Sequence, residues 1–223
     1  MFDYKIIRSH RRTIGIIVSA GPSVTVRAPY STSDQKIRKF LESKREWIEK
    51  HLSAFERMTN INWKGYRNGE SILFRGREYT LSIIPSGKKG VRLADGVIEV
   101  MTPRPDDINL IKVFVERWYF ENAKMLLRQK MGEIVTKHQA INFSPSALRV
   151  RKLKRKWGSC TSKGVITLNS DLIKLEDSLQ EYVIIHELCH LYHPNHGKEF
   201  YNLLGSLLPG WKELRIRLRQ YLS

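Results

Sequence analysis

At 223 residues, 41% apolar and 10% aromatic, the chain is long enough for one sizeable domain or two small ones with a real core. No apolar run approaches the roughly 20 residues that a membrane helix needs, which argues against a membrane-bound protein. Lysine and arginine outnumber aspartate and glutamate by 39 to 22, and the formal charge of +17 favours anionic partners or a solvated basic surface. Nucleic acid and nucleotide phosphates are the anions such a surface attracts most strongly. Cys160 and Cys189 form no Cys-x-x-Cys pair and no disulfide framework, so a reducing cytoplasm is the expected compartment.

The opening "RSHRRTIGIIVSAG" imitates a secretory signal, but its apolar run is short, broken by Gly15 and free of leucine. Pairing "TIGIIV" with "VTVRA" across "SAGPS" gives a β-hairpin, the preferred reading. A helix follows over "STSDQKIRKFLESKREWIEKHLSAFERM", with Ile37, Phe40, Leu41, Trp47, Ile48, Leu52 and Phe55 at helical spacing. The Gly-punctuated stretch after it predicts antiparallel strands over 71–74, 78–84, 90–93 and 97–100, the last two joined by a tight "ADG" turn. "TPRPDD" marks a boundary, so the expected division is a β-rich region with one helix over 1–104 and a second domain over 105–223.

The second domain should start with a long helix from about Asp107 to His138, turning Ile108, Ile111, Val115, Trp118, Tyr119, Ala123, Leu126 and Leu127 inward. A strand near "ALRVR", a basic loop around "WGS" and a strand over 165–168 come next. The rest reads as helices over 178–191, 198–208 and 211–222. Strands gather in the first half and helices in the second, which is an α+β pattern rather than a wound parallel sheet.

The chemistry is concentrated in "HELCHLYHPNHGKEFY". His186 and His190 stand four apart on a helical segment, and about 400° of helical rotation puts both imidazoles on nearly one face. Glu187 lies about 100° round from His186, placed to act on a water without ligating the metal. This H-E-x-x-H spacing is a zinc site with a carboxylate base, and it needs a third ligand. His196 is preferred: Pro194 and Gly197 stop the helix and let a turn carry the ring back. Glu199 and His193 are the alternatives, the first by analogy with carboxylate-completed zinc sites and the second disfavoured by Pro194. Cys189 falls on another face of the helix and reads as a small core residue.

Upstream, "RVRKLKRKWGSC" carries Arg149, Arg151, Lys152, Lys154, Arg155 and Lys156. If the strand runs through it, Arg149 and Arg151 share one face and Lys152 and Lys154 the other. Arg155 and Trp157 in the loop are candidate substrate contacts, able to meet phosphates or a developing oxyanion. Asn169 either points its amide into the cleft or forms a turn. The basic strand is a candidate sheet edge that could accept an extended peptide.

"HELCHLYHPNHGKEFY", preceded by "KRKWGSCTSKGVITLNSDL", resembles the YgjP-like family of zinc metallopeptidases, which is related to SprT-like and WLM-type proteins. The matching positions are Trp157 to Cys160, Gly164, Leu168, Asn169, His186 to His190, Asn195 to Gly197, and Phe200 with Tyr201, the last replacing a commoner tryptophan. The resemblance extends to the N-terminal "RRTIGIIVSAGPSVTVRAP" and "REWIEKHL". It implies a zincin-like C-terminal half with the H-E-x-x-H helix beside a small antiparallel sheet. It also implies one Zn2+ per chain on His186, His190 and His196, with Glu187 as general base. The resemblance does not deliver a substrate. The ligand geometry and the edge strand favour a polypeptide, with a nucleoside triphosphate pyrophosphatase, resting on the basic loop, or a DNA-associated protease or binding module as the alternatives.

Overall fold

The computed structural model describes residues 2–19, 23–49, 52, 65–219 and 221. They divide into two compact units, one of the described residues up to 52 with Arg219 and Tyr221 and the other of residues 65–218, rather than at 104/105. The strands over 71–102 therefore belong with the C-terminal region.

The first unit contains β1 (Tyr4–Ser9), β2 (Gly15–Ser19), β3 (Ser23–Pro29) and α1 (Asp34–Ser43). β2 and β3 pair antiparallel, as a hairpin requires, and β1 adds parallel to β3 on its other side. Ser33 caps α1 by accepting from the Lys36 N–H at 3.3 Å. The helix breaks at Lys44, and helical turns resume at 45–49. Ile37, Leu41 and Ile48 bury against Val24, Val26 and Ala28, while Trp47 is exposed rather than inward. The expected helix beyond 52, including Phe55, lies outside the described residues.

The second unit opens with β4 (Ser71–Phe74), β5 (Arg77–Pro85), β6 (Gly90–Ala94) and β7 (Val97–Thr102), in the order β4-β5-β7-β6. β5 and β7 run parallel, which corrects the all-antiparallel expectation. The β6–β7 turn is Asp95-Gly96, both with positive φ, the backbone a two-residue hairpin demands.

Helix α2 (Ile108–Lys137) follows, capped by Asp107, whose side chain accepts from the Leu110 N–H at 3.0 Å. Ile111, Val115, Tyr119, Ala123 and Leu127 recur every fourth residue on its buried stripe; Ile108 is exposed, one turn before the stripe begins. α2 packs against β6, β7, β8 (Ala147–Arg151), the 3-10 turn Ser170–Lys174, and α3 (Asp177–Cys189).

β8 belongs to a small sheet ordered β8-β10-β9, with β9 at Gly158–Cys160 and β10 at Val165–Asn169. β10 runs parallel to β8 and antiparallel to β9, so this sheet is mixed rather than antiparallel. Helices α3, α4 (Lys198–Leu207) and α5 (Trp211–Arg219) complete an α+β unit. No helix among the described residues is long and apolar enough to cross a membrane.

Candidate metal centre

α3 is buried almost all round, with Leu179, Tyr182, Val183, Ile184, Ile185, Leu188 and Cys189 in the core. That burial fixes the rotation of the helix and hence where His186, Glu187 and His190 point. The helix ends at Cys189, earlier than the sequence suggests. His190 is its C-cap, and tightened turns carry the chain on, with the Leu191, Tyr192 and His193 N–H groups donating back to Leu188 and Cys189. Tyr192 anchors this turn by donating to the carbonyls of Ile141 (2.6 Å) and Asn142 (3.0 Å).

Pro194 and Asn195 then reverse the chain, so His196 returns to α3 just before α4 begins. Phe200, fully buried in the first turn of α4, lies against all three rings with centroids 5.0 Å from His186 and 4.7 Å from both His190 and His196. One ring nitrogen from each of His186, His190 and His196 lies within 4.8 Å of the others. The Nε2 atoms of His186 and His196 are 3.0 Å apart.

This donor set suits a divalent ion of borderline softness. Burial first, then the neighbouring imidazoles and Arg215, pushes His186 down to about 3; burial, His190 and Arg215 lower His196 as well. Both rings are therefore neutral near pH 7, as ligation requires. The His193 carbonyl lies 3.0 Å from His190 Nδ1, so a proton held there leaves Nε2 as the free lone pair. The His193 ring and the exposed Glu199 stand outside this cluster of nitrogens.

Glu187 is buried next to the histidines. Burial pushes its carboxyl up to about 7, against the pull of Lys156 and a hydrogen bond from the Cys160 backbone. A Cβ at Gly158 would stand 2.6 Å from Glu187 Oε1 and 2.7 Å from its Cγ. The glycine of "WGSC" is thus the space that the carboxylate occupies. The "WGS" stretch, expected as a loop, supplies the edge strand β9 along this face. A cavity of about 380 Å³ runs between residues 158–162 and the three histidines, with Glu187 and Pro194 in its wall.

The other sequence candidates lie elsewhere. Arg155 is exposed and does not line the cavity. Trp157 is buried, and its carbonyl accepts from the Asn169 N–H at 2.8 Å. Asn169 is 3% exposed; its amide donates to the Leu153 and Lys156 carbonyls and accepts from the Leu153 and Asp171 N–H groups. It clamps the basic loop instead of entering the cleft. β8 stops at Arg151, so Lys152 and Lys154 are loop residues, and Lys152 pairs with Asp171 at 2.8 Å. Cys160 in the cavity wall and Phe200 beneath the three histidines stand out in the sequence only as positions of the family resemblance, since a three-residue strand and an ordinary core aromatic carry no local signal of their own.

Convergent imidazoles, a buried carboxylate and an open cavity together make a candidate metal centre. The chain belongs to the YgjP-like family, matching its "YgjP-like, metallopeptidase domain" over residues 12–221. Two solved structures are similar over part of the chain. The metallopeptidase zymogen of Pyrococcus abyssi abylysin is 26% identical, covering 41% of this chain and 90% of that one, with a TM-score of 0.37. That of Methanocaldococcus jannaschii jannalysin is 25% identical, covering 42% and 94%, also with a TM-score of 0.37. Among proteins with curated descriptions, none matches.

Proposed function

We propose that the protein is a zinc-dependent peptidase, with the ion held by His186, His190 and His196 and Glu187 as general base. The observation that carries this reading is the buried Glu187 carboxyl beside three converging imidazoles. An ion on three imidazoles supplies the Lewis acidity that polarises an amide carbonyl and acidifies water. The chain supplies the rest. The Cys160 backbone hydrogen bond holds the Glu187 carboxylate against β9, leaving it capacity to accept a proton from the attacking water. The same carboxyl then delivers that proton to the departing amine nitrogen. The outer edge of β9 has no strand partner among the described residues, so an extended polypeptide can pair with it across the cavity. This moves the expected peptide-accepting edge from the basic strand β8 to β9.

Chelator-sensitive hydrolysis by the zinc-loaded protein tests the reading, with unfolded polypeptide and nucleoside triphosphates as parallel substrates. New peptide termini should appear, and Glu187→Gln should slow their release by about 100- to 10,000-fold. Pyrophosphate release with the same Glu187 dependence, and no peptide cleavage, would replace the peptidase by a nucleotide hydrolase.

A further inference from the structure

Beside His196 lies an aromatic stack that the chemistry above does not use. Tyr201 of α4 stacks on Trp211 at the start of α5, ring centroids 4.9 Å apart and planes 16° from parallel. The Tyr201 ring is also 6.2 Å from that of His196. One turn along α5, Arg215 is held over both rings, its Cζ 5.9 Å from the centroid of Tyr201 and 6.0 Å from that of Trp211. Its Nη1 donates to the Tyr201 hydroxyl at 3.4 Å. Lys212 adds a second cation, 5.9 Å from the Trp211 centroid.

Arg215 differs from its neighbours in how its charge is met. Arg217 pairs with Glu176, and Arg75 with Asp177 at 2.6 Å. Among the described residues no carboxylate pairs with Arg215, and the Tyr201 hydroxyl is the acceptor it has. A half-buried guanidinium has five N–H donors and loses hydration that one hydroxyl and two ring faces replace only in part. A cation fixed by aromatic packing, without a counter-ion among the described residues and linked to His196 through the Tyr201 ring, is a preorganised receptor for a planar anion.

We propose that Arg215, framed by Tyr201 and Trp211, binds a carboxylate of the substrate on the His196 side of the cleavage site, making the protein selective for acidic polypeptide. This subsite rests on the peptidase reading. The carboxylate comes from an acidic side chain or from a peptide C-terminus, and one experiment separates these sources.

Labelled octapeptides are titrated into the full-length, zinc-loaded Glu187→Gln protein, which holds substrate without turning it over. Three are C-terminally amidated and carry Glu, Gln or Ala at a position next to the cleaved bond; a fourth carries Gln and a free C-terminus. The Glu peptide, or the peptide with the free C-terminus, should bind about tenfold or more tightly than the amidated Gln peptide, the scale of one charge-assisted contact. Arg215→Leu should abolish that difference, and Arg215→Lys should keep part of it. Equal binding of all four peptides overturns the subsite without any variant, so a poorly folding Arg215→Leu leaves the test intact. A loss that is equal for charged and neutral peptides in both Arg215 variants also overturns it, since it marks a packing role. Cleavage by the Glu187-intact enzyme is read in parallel. Arg215-dependent selectivity with no cleavage keeps the subsite and removes the peptidase, whereas cleavage with no selectivity does the reverse.

Discussion

Gly158 shows how much of the site depends on a side chain that is not there. Its absent Cβ would stand under 3 Å from three atoms of Glu187, a carboxylate packed too tightly to swing into solvent. Gly158→Ala should therefore displace the base while leaving the histidines in place. A misplacement of about 1 Å costs on the order of 100-fold in rate. We expect kcat to fall by about that factor with zinc content and melting temperature near wild type. A variant with full kcat would show that the carboxylate and β9 are not in this contact. Asn169 acts differently: three of its four side-chain hydrogen bonds hold Leu153 and Lys156, the fourth is accepted from the Asp171 N–H, and together they deliver Trp157 and Gly158 to the edge of the sheet.

Among elements, the β4–β5 hairpin carries the clearest steric test. Its turn residues Arg75 and Gly76 both have positive φ, 50° and 76°, and dock on the chain ahead of α3. The Arg75 and Gly76 N–H groups donate to the Ile173 and Lys174 carbonyls at 2.8 and 2.9 Å. A Cβ on Gly76 would meet Glu176 Cβ at 2.7 Å and its Cα at 2.8 Å, whereas one on Gly96, in the equivalent β6–β7 turn, meets nothing within 4 Å. Both alanine variants carry backbone strain of about 1 kcal/mol or more, and only Gly76→Ala adds a clash with backbone. Gly76→Ala should melt several degrees below Gly96→Ala, at about 2–4 °C per kcal/mol. Equal melting temperatures would contradict the docking.

What the sequence makes legible follows from how local each signal is. α2 shows its limits because Asp107 and the prolines before it are local stop and start signals, and the expected 107–138 differs from 108–137 only at the caps. The spacing of His186, Glu187, His190 and His196 is equally local, a few turns of chain. β9 is not legible: Gly-Ser-Cys has no strand propensity, and its extended form comes from pairing with Ile166, Thr167 and Leu168. The parallel pairings β5–β7 and β8–β10 are long-range choices that alternation along one strand cannot specify. Arg155 stands out in the sequence through local charge density, while Arg215, a cation in an ordinary amphipathic helix, gains its place only when α4 and α5 come together.

Over the whole molecule, the formal charge of +17 makes the few carboxylates inside ion pairs important for stability. The hydrogen bond from Arg75 holds Asp177 below the usual carboxylate range, with Lys130 adding to it against partial burial. Burial pushes Asp171 up, but Lys174 and Lys152 together outweigh it and leave that carboxyl low as well. A lowered folded-state pKa stabilises the fold fully above the unfolded value of about 3.9, and the contribution is lost as pH falls through the folded value. Melting temperature should therefore hold between pH 7 and 5 on account of these groups and drop steeply below about pH 4. Asp177→Asn should be less stable near neutrality and show a shallower acid slope. An unchanged slope would remove Asp177 from the account.

Zinc stoichiometry on the purified chain and three variants tests the central claim most directly, because it does not depend on knowing the substrate. His196→Ala, His193→Ala and Glu199→Gln separate the three residues able to complete the site. One zinc per chain in wild type, lost in His196→Ala and kept in the other two, is the outcome the geometry of His186, His190 and His196 requires. Zinc retained by His196→Ala, or lost from Glu199→Gln, would contradict it.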